Sequence, residues 1–543
     1  MPHQTLKIIT LVLLRIILAQ STNQPNILLI LADDLGYNDV GYRGNNQVKT
    51  PNIDALAYNG AVLERFYTLP MCTPSRAAIL TGKYPIKTGF QGLPFDGGEP
   101  GHLPGNVSTL PKQLKKLGYK THLVGKWHLG FAYRNVTPLA KGFDSHYGYY
   151  NGLISYFDHT YQSMSTVSGF DFRDNFRVDW KSKGEYATDL FTNRAIKIIN
   201  DHDYRKPMFL MVNHVAVHTG KVVGNKGLVE ERNTTSMNKN FGYIKDVNRR
   251  RLVDALKTLD DSIGNIIKAL SEKKVLDNTI IFFLSDNGGP TYRELFPNYS
   301  SNWPLRGIKI SHFEGAVRGT GIFYSKSMTY GGKSNSNLLH MVDLLPTFYS
   351  AAGGNLKNLG QLDGINQLDV LMYNKKTKRK EVLINIEDVS GSAAIITENG
   401  RYKLIQGIQY NGTYDSYGGE TGRNPSDGPY DFKSVINSDV NQAFGTKLGI
   451  DSVKKLREDL ITKNCRKAKY EKSCKLCLFD LENDPCETTN LAKSERGLTN
   501  KMIDRLDYFR SESVPQQHTK VDPKSNPKYY GGVWTFWLDK KPL

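Results

Sequence analysis

Residues 26–34 read NILLILADD: seven residues, six of them apolar, closed by two carboxylates. The apolar run does not alternate with polar residues, which is the signature of a strand buried on both faces. Three more segments share this form. Residues 120–124 (KTHLV) lead into Gly125-Lys126-Trp127-His128, residues 208–212 (MFLMV) lead to Asn213, His214 and His218, and residues 279–284 (TIIFFL) lead to Ser285-Asp286-Asn287-Gly288-Gly289. Between these runs lie amphipathic stretches that read as helices, at 51–60, 75–82, 109–117, 187–200 and 251–270. Strand–helix alternation predicts an α/β fold with a large, mostly parallel sheet flanked by helices. In such sheets ligands bind beyond the carboxyl ends of the strands. Any one of these four ends could be a turn or a cap, but four together mark a site.

The rest of the chain fits around that sheet. With 543 residues there is ample chain for a large core. Composition excludes a disordered chain, a collagen and a multispan membrane protein. Lys and Arg number 71 against 53 Asp and Glu, a net charge of +18, which favours polyanionic partners without choosing among them. Residues 1–20 have a signal-peptide layout: a polar start, a short apolar stretch interrupted by Arg15, then small residues. Sequons at Asn106, Asn135, Asn233, Asn298 and Asn411 agree with a secretory route, lysosomal or secreted, with no stable membrane insertion. A basic stretch at 373–380 divides a catalytic domain (21–375) from a smaller α+β domain (376–543) with few strong helices. Four of the five cysteines, Cys465, Cys474, Cys477 and Cys486, cluster in that second part. They read as two disulfides with three possible connectivities; Cys474-x-x-Cys477 leaves zinc or redox chemistry as an alternative.

The candidate chemistry follows from residue types. Asp33, Asp34 and Asp286 would repel one another if brought together unneutralised. With Asn287 they form a hard oxygen set suited to Ca²⁺ or Mg²⁺. Arg76, Lys126 and Lys309, with His128 and His218, suit a tetrahedral oxyanion and the proton transfers around it. Cys72 is the unpaired cysteine; Pro74 belongs in the first turn of a helix, which places Cys72 at the positive helix end. A small buried hydrophobe is the plainer reading of a lone thiol.

These residues carry a family resemblance. Cys72-Thr73-Pro74-Ser75-Arg76 with Leu80-Thr81-Gly82 resembles the first sulfatase signature, and Gly118 through His128 resembles the second. The likeness continues through Asp286-Asn287-Gly288-Gly289, Ser301 through Gly307 with Lys309, Glu314 through Arg318, Leu478 through Asn490-Leu491, and Asp522 through Pro527. Within the family it is most similar to the arylsulfatase B (N-acetylgalactosamine-4-sulfatase) group and its I and J relatives. The resemblance implies an alkaline-phosphatase-like sandwich and a calcium-dependent sulfuric ester hydrolase. It implies that Cys72 is oxidised to Cα-formylglycine by a formylglycine-generating enzyme, and that the hydrate is the nucleophile. It implies Ca²⁺ ligands at Asp33, Asp34, Asp286 and Asn287 with residue 72 alongside. Arg76 would hold the diol, Lys126 and Lys309 the sulfate, His218 and Lys309 the leaving alkoxide, and His128 would take the diol proton. The implied substrate is the 4-sulfate of N-acetylgalactosamine in chondroitin or dermatan sulfate, with small aryl, plant or xenobiotic sulfates as the rival. A narrow pocket with apolar walls would favour the rival. A related phosphomonoester or phosphonate hydrolase and a non-catalytic binder of sulfated glycans are the remaining alternatives; nothing points to nucleic acid. The departures, at Val217–Lys221 where no Pro follows His218, at residues 220–240 (a different pocket loop) and at Asn366-Gln367, bear on substrate rather than on catalysis.

Overall fold

The computed structural model describes residues 24–540 apart from 224–225, 293–295, 447, 462–470 and 472–473. The predicted signal segment and Cys465 lie outside the described residues. The Asn26–Ala32 strand runs down the middle of a ten-stranded sheet. On one side it pairs in parallel with Thr279–Ser285, on the other with Met208–Asn213, which in turn pairs in parallel with Lys120–Lys126. All four central strands expected from the sequence are therefore adjacent. Asn26–Ala32, Met208–Asn213 and Thr279–Ser285 are buried along their whole length, as non-alternating apolar runs require. Lys120–Lys126 is buried from Leu123 onward and half open at its start. The sheet is mixed: Gly321–Tyr324 pairs antiparallel with both Thr279–Ser285 and Ala61–Tyr67, and the far edge at Arg173–Asp174 and Arg177–Val178 is antiparallel too.

Helices form where the sequence places them. They span Pro51–Asn59, Cys72–Thr81, Leu110–Lys116, Ala187–Asp201 and Val247–Glu272. The last starts where the Asp246 carboxylate accepts from the backbone N–H groups of Asn248 and Arg249, a side-chain N-cap. Pro51–Asn59, Ala187–Asp201 and Val247–Glu272 pack together, as do Cys72–Thr81, Leu110–Lys116 and Leu344–Ala351.

A second, antiparallel sheet of four strands holds Val382–Glu387, Ser392–Thr397, Tyr402–Gln406 and Leu476–Asp480. This part carries more helix than the sequence suggested: Ile450–Leu460 and the sixteen-residue Arg496–Ser511. The two parts of the chain are joined by buried charge. Lys403 Nζ lies 3.1 Å from Glu314 and 2.9 Å from Glu487, all three side chains being fully buried. Arg306 donates to the carbonyls of Asp415, Glu471 and Glu487 at 2.6–2.9 Å. The chain end returns to the first part: Trp534 N–H donates to Phe170 O at 3.0 Å, and its indole N–H to Tyr161 O at 3.1 Å. Cys474 and Cys477 are paired with each other as a disulfide, and Cys486 is disulfide-bonded as well.

One of the five sequons is buried. Asn298 is fully buried, and its amide donates to the backbone carbonyls of Asp34 (3.0 Å) and Val217 (3.1 Å). The sequon is matched in sequence, but its nitrogen is a buried structural donor. Asn106, Asn135, Asn233 and Asn411 are exposed.

Candidate active site

The site lies at the carboxyl ends of the four central strands. Gly125 fixes one of them. Its φ is +99°, and a Cβ there would come within 1.9 Å of Asn213 O, so only glycine lets the Lys120–Lys126 strand lie this close to its neighbour. The next residue, Lys126, turns its ammonium to Asp33 Oδ2 at 2.6 Å. Cys72 is the first residue of the Cys72–Thr81 helix and points at the same place, with Sγ 3.6 Å from Asp33 Oδ1 and 4.0 Å from Asp34 Oδ1. One turn on, Arg76 meets Asp286 Oδ2 at 2.8 Å and Asp33 Oδ2 at 3.5 Å. Lys309 Nζ lies 2.8 Å from Asp34 Oδ2 and 3.4 Å from His218 Nε2. Asn287 Nδ2 donates to Asp34 Oδ1 at 2.6 Å. Every site residue expected from the sequence is therefore in one place, and all are buried.

Three carboxylates, Asp33, Asp34 and Asp286, thus meet three cations, Arg76, Lys126 and Lys309. The chain's own cations already answer the repulsion that the sequence alone left open. Burial alone would push Asp33 up, but Lys126, His218 and Arg76 hold it below its ordinary value; Lys309 and His218 do the same for Asp34. Burial pushes the Cys72 thiol well above its ordinary value, so it stays protonated and is a poor nucleophile as it stands. Burial, then Lys126, holds His128 neutral. His128 Nε2 faces Phe95 O at 3.0 Å, which can only accept, so Nε2 carries the proton and the Nδ1 lone pair is open. By the same logic His218 Nδ1, 2.7 Å from Thr219 O, carries the proton, and Nε2 faces Lys309 and Asp34.

Several buried polar atoms here lack partners: Arg76 Nε and Nη1, His128 Nδ1 and Asn287 Oδ1. In a folded interior such atoms ask for a ligand. The guanidinium N–H groups suit an anion, and the Asn287 oxygen beside Asp33 and Asp34 suits a hard cation. One ligand atom from each of Asp33, Asp34, Cys72 and His218 lies within 4.8 Å of the others, a group that could hold a metal ion. Of the ligands expected from the sequence this group holds Asp33, Asp34 and Cys72, without Asp286, and it adds His218.

Above this floor is a cavity of about 320 Å³. Its walls include Leu93, Phe95, Tyr161, Met164, Tyr410 and Tyr414, and Lys309 is the single lysine or arginine among the described lining residues. The Asp96 carboxylate, which also lines it, is taken up by the wall itself, accepting from Tyr161 Oη at 2.5 Å and from the Gly97 and Met164 N–H groups. These wall residues were not found in the sequence. They come from loops far apart in the chain and carry no periodicity. Tyr149, whose buried hydroxyl has no partner, also escaped notice. No described residue of 220–240 lines the cavity; the Lys221–Val223 and Lys226–Leu228 hairpin packs behind it, Gly227 lying against Thr219 and Phe296. Gln367 is buried away from the site, bonded to Asp343 and Thr347.

Known proteins resemble this chain throughout. A model of the sulfatase family matches residues 25–354. Arylsulfatase J of Mus musculus is 34% identical over 522 residues, covering 96% of this chain and 81% of that protein. N-acetylgalactosamine-6-sulfatase of Homo sapiens is 30% identical over 375 residues, covering 65% of this chain and 67% of that protein. The crystal structure of Ps i-CgsB in complex with k-i-k-neocarrahexaose superposes with a TM-score of 0.69 at 25% identity, covering 94% of this chain and 98% of that one.

Proposed function

This chain belongs to the sulfatase family and is a sulfuric ester hydrolase, and from that premise we propose that it works through residue 72 on sulfate esters with compact, largely apolar leaving groups. The observation that carries the mechanism is Cys72 at the floor of the cavity, pressed between Asp33 and Asp34 with its thiol held neutral. Conversion of Cys72 to Cα-formylglycine by a formylglycine-generating enzyme would supply, as the hydrate, an oxygen nucleophile that can release sulfate by re-forming the aldehyde. Asp33, Asp34, Asp286 and Asn287, beside residue 72, would hold Ca²⁺, which neutralises charge on the sulfate oxygens.

The chain's other residues divide the remaining work. Arg76 has two unpartnered nitrogens with which to orient the diol and the incoming sulfate. Lys126 and Lys309 flank the position of the sulfate oxygens. With His218 Nδ1 bonded to Thr219 O, its Nε2 supports Lys309, which protonates the departing oxygen. The open Nδ1 of His128 accepts the proton whose removal releases sulfate.

The cavity supports the choice of substrate. Its walls are apolar and aromatic, and its one lysine sits at the floor, so it offers a single sulfate its counter-charge and a polyanion nothing further. A terminal 4-sulfated N-acetylgalactosamine is the second reading. Aromatic walls also stack on sugar faces, the net charge is +18, and Ps i-CgsB is described in complex with an oligosaccharide. The exposed sequons support a route through the secretory pathway, to the lysosome or outside the cell.

The test is sulfate release by the purified glycosylated protein, with Cys72→Ala as control. The panel holds aryl and small plant sulfates, a 4-sulfated N-acetylgalactosamine oligosaccharide and its 6-sulfated isomer. Turnover of the small esters alone supports the first reading, and selective turnover of the 4-sulfated sugar replaces it with the second. Turnover that survives in Cys72→Ala refutes the mechanism.

A further inference from the structure

One of the exposed sequons stands at the mouth of the catalytic cavity. Tyr410 and Tyr414 both line that cavity, their rings 5.5 Å apart, and Asn411-Gly412-Thr413 lies between them. The loop is fastened to the segment that delivers Lys309. Ile308 N–H donates to Tyr414 O at 3.1 Å, Gly307 N–H to Ser416 O at 3.2 Å, and Arg306 Nε to Asp415 O at 2.9 Å. Asn411 is exposed, and its φ of +53° is a conformation that asparagine tolerates in turns. Its amide makes none of the buried contacts that disqualify Asn298.

We propose that Asn411 is N-glycosylated, and that this glycan stands over the rim of the cavity, admitting compact sulfate esters and excluding sulfated chains. The exclusion rests on the compact-ester reading; the glycan does not. In the transfer, Asn411 Nδ2 bonds to the anomeric carbon of an oligosaccharide carried on a lipid diphosphate. The C–O bond to the diphosphate breaks, the lipid diphosphate leaves with that oxygen, and the amide gives up one proton. A branched oligosaccharide fixed one residue from Tyr410 is anchored to a loop hydrogen-bonded to residues 306–308, so it sweeps the space that a polymer would cross to bring an internal or near-terminal sulfate to Cys72. A small ester needs only the opening itself. The apolar wall sets what is welcomed, and the glycan sets how long it can be.

The protein for the test is the full chain secreted from a glycosylating host. Two variants accompany it: Asn411→Gly, which keeps the left-handed turn without adding charge, and Thr413→Ser, which keeps the sequon. Glycopeptide mass spectrometry reads occupancy. We expect a glycan on Asn411 in the wild type and in Thr413→Ser, and none in Asn411→Gly. Asn411→Gly should raise kcat/KM for a 4-sulfated oligosaccharide at least about tenfold relative to an aryl sulfate, whose own value changes little. Binding of the same oligosaccharide to Cys72→Ala, with and without Asn411→Gly, reads exclusion where no turnover is possible. It therefore separates failure of this inference from failure of the hydrolase reading. An unmodified Asn411 overturns the proposal, and so does an occupied Asn411 whose removal leaves both the kcat/KM ratio and oligosaccharide binding unchanged.

Discussion

Lys126 Nζ lies 2.6 Å from Asp33 Oδ2, and neither side chain reaches solvent. Such a pair costs much to desolvate, and removing one partner strands the other charge. Arg76, at 3.5 Å from the same oxygen, covers Asp33 only in part. Lys126→Met should therefore act twice. Stability should fall by about 3–5 kcal/mol in chemical denaturation, and kcat should fall by about 10²–10³, the usual cost of one preorganised donor. A variant with full turnover would remove Lys126 from the sulfate site.

The unpartnered Asn287 Oδ1 gives a test of the metal. Chelation should abolish turnover and lower the melting temperature, because an ion that binds only the folded state stabilises it. Adding back Ca²⁺ should restore both. Asn287→Ala should abolish the calcium-dependent rise in melting temperature. Turnover that persists after exhaustive chelation would refute the reading.

Asn298 looks like a glycosylation site and behaves in the structure as a strut. Its amide ties the Asp34 carbonyl to the Val217 carbonyl, one residue before His218. Asn298→Ala should leave glycan mass unchanged. It should cost about 1–3 kcal/mol of stability through two orphaned acceptors, and turnover should drop as Asp34 and His218 drift. A loss of glycan mass in this variant would show that the burial is wrong.

Glu487 gives the pH prediction. Burial pushes its pKa up from 4.5 to about 7, with the Glu314 carboxylate adding to the rise and Lys403 opposing it. The folded state therefore holds its proton to higher pH than the unfolded chain does. Its contribution is fully present below 4.5 and is lost as pH climbs through about 7. Asp54 and Asp415, both raised to about 6, act in the same direction. Melting temperature should fall between pH 5 and 7.5, a range set by these values, and fall less steeply in Glu487→Gln. Equal slopes in the two proteins would remove Glu487 from the account.

The floor of the site was legible in sequence because each strand announces itself as an apolar run and its reactive residues follow within a few positions. Asp33-Asp34 after Ala32, Lys126-Trp127-His128 after Gly125 and Asp286-Asn287 after Ser285 are local patterns, and the topology of a parallel sheet brings local patterns at strand ends together. The walls were not legible. Phe95, Tyr161, Met164 and Tyr410 meet only because loops from distant parts of the chain converge, and nothing in the spacing of an isolated aromatic reports that. Asn298 shows the converse: the triplet is local, but burial is a property of the whole fold. Lys403 was missed for a similar reason, since a lysine inside a strand reads as a solvent-facing residue until Glu314 and Glu487 close over it.

Trp534 braces the hairpin of Thr160–Gln162 and Ser168–Phe170, which carries Tyr161. Ribosomes deliver Trp534 more than four hundred residues after Cys72. Until that segment arrives, Phe170 N–H lacks Gly532 O and the Phe170 and Tyr161 carbonyls lack Trp534, so one side of the cavity stands without its brace. Translation thus leaves a long interval in which the thiol has emerged but the chamber around it is incomplete. In that interval Cys72 is free of the walls that leave it 1% exposed in the finished fold.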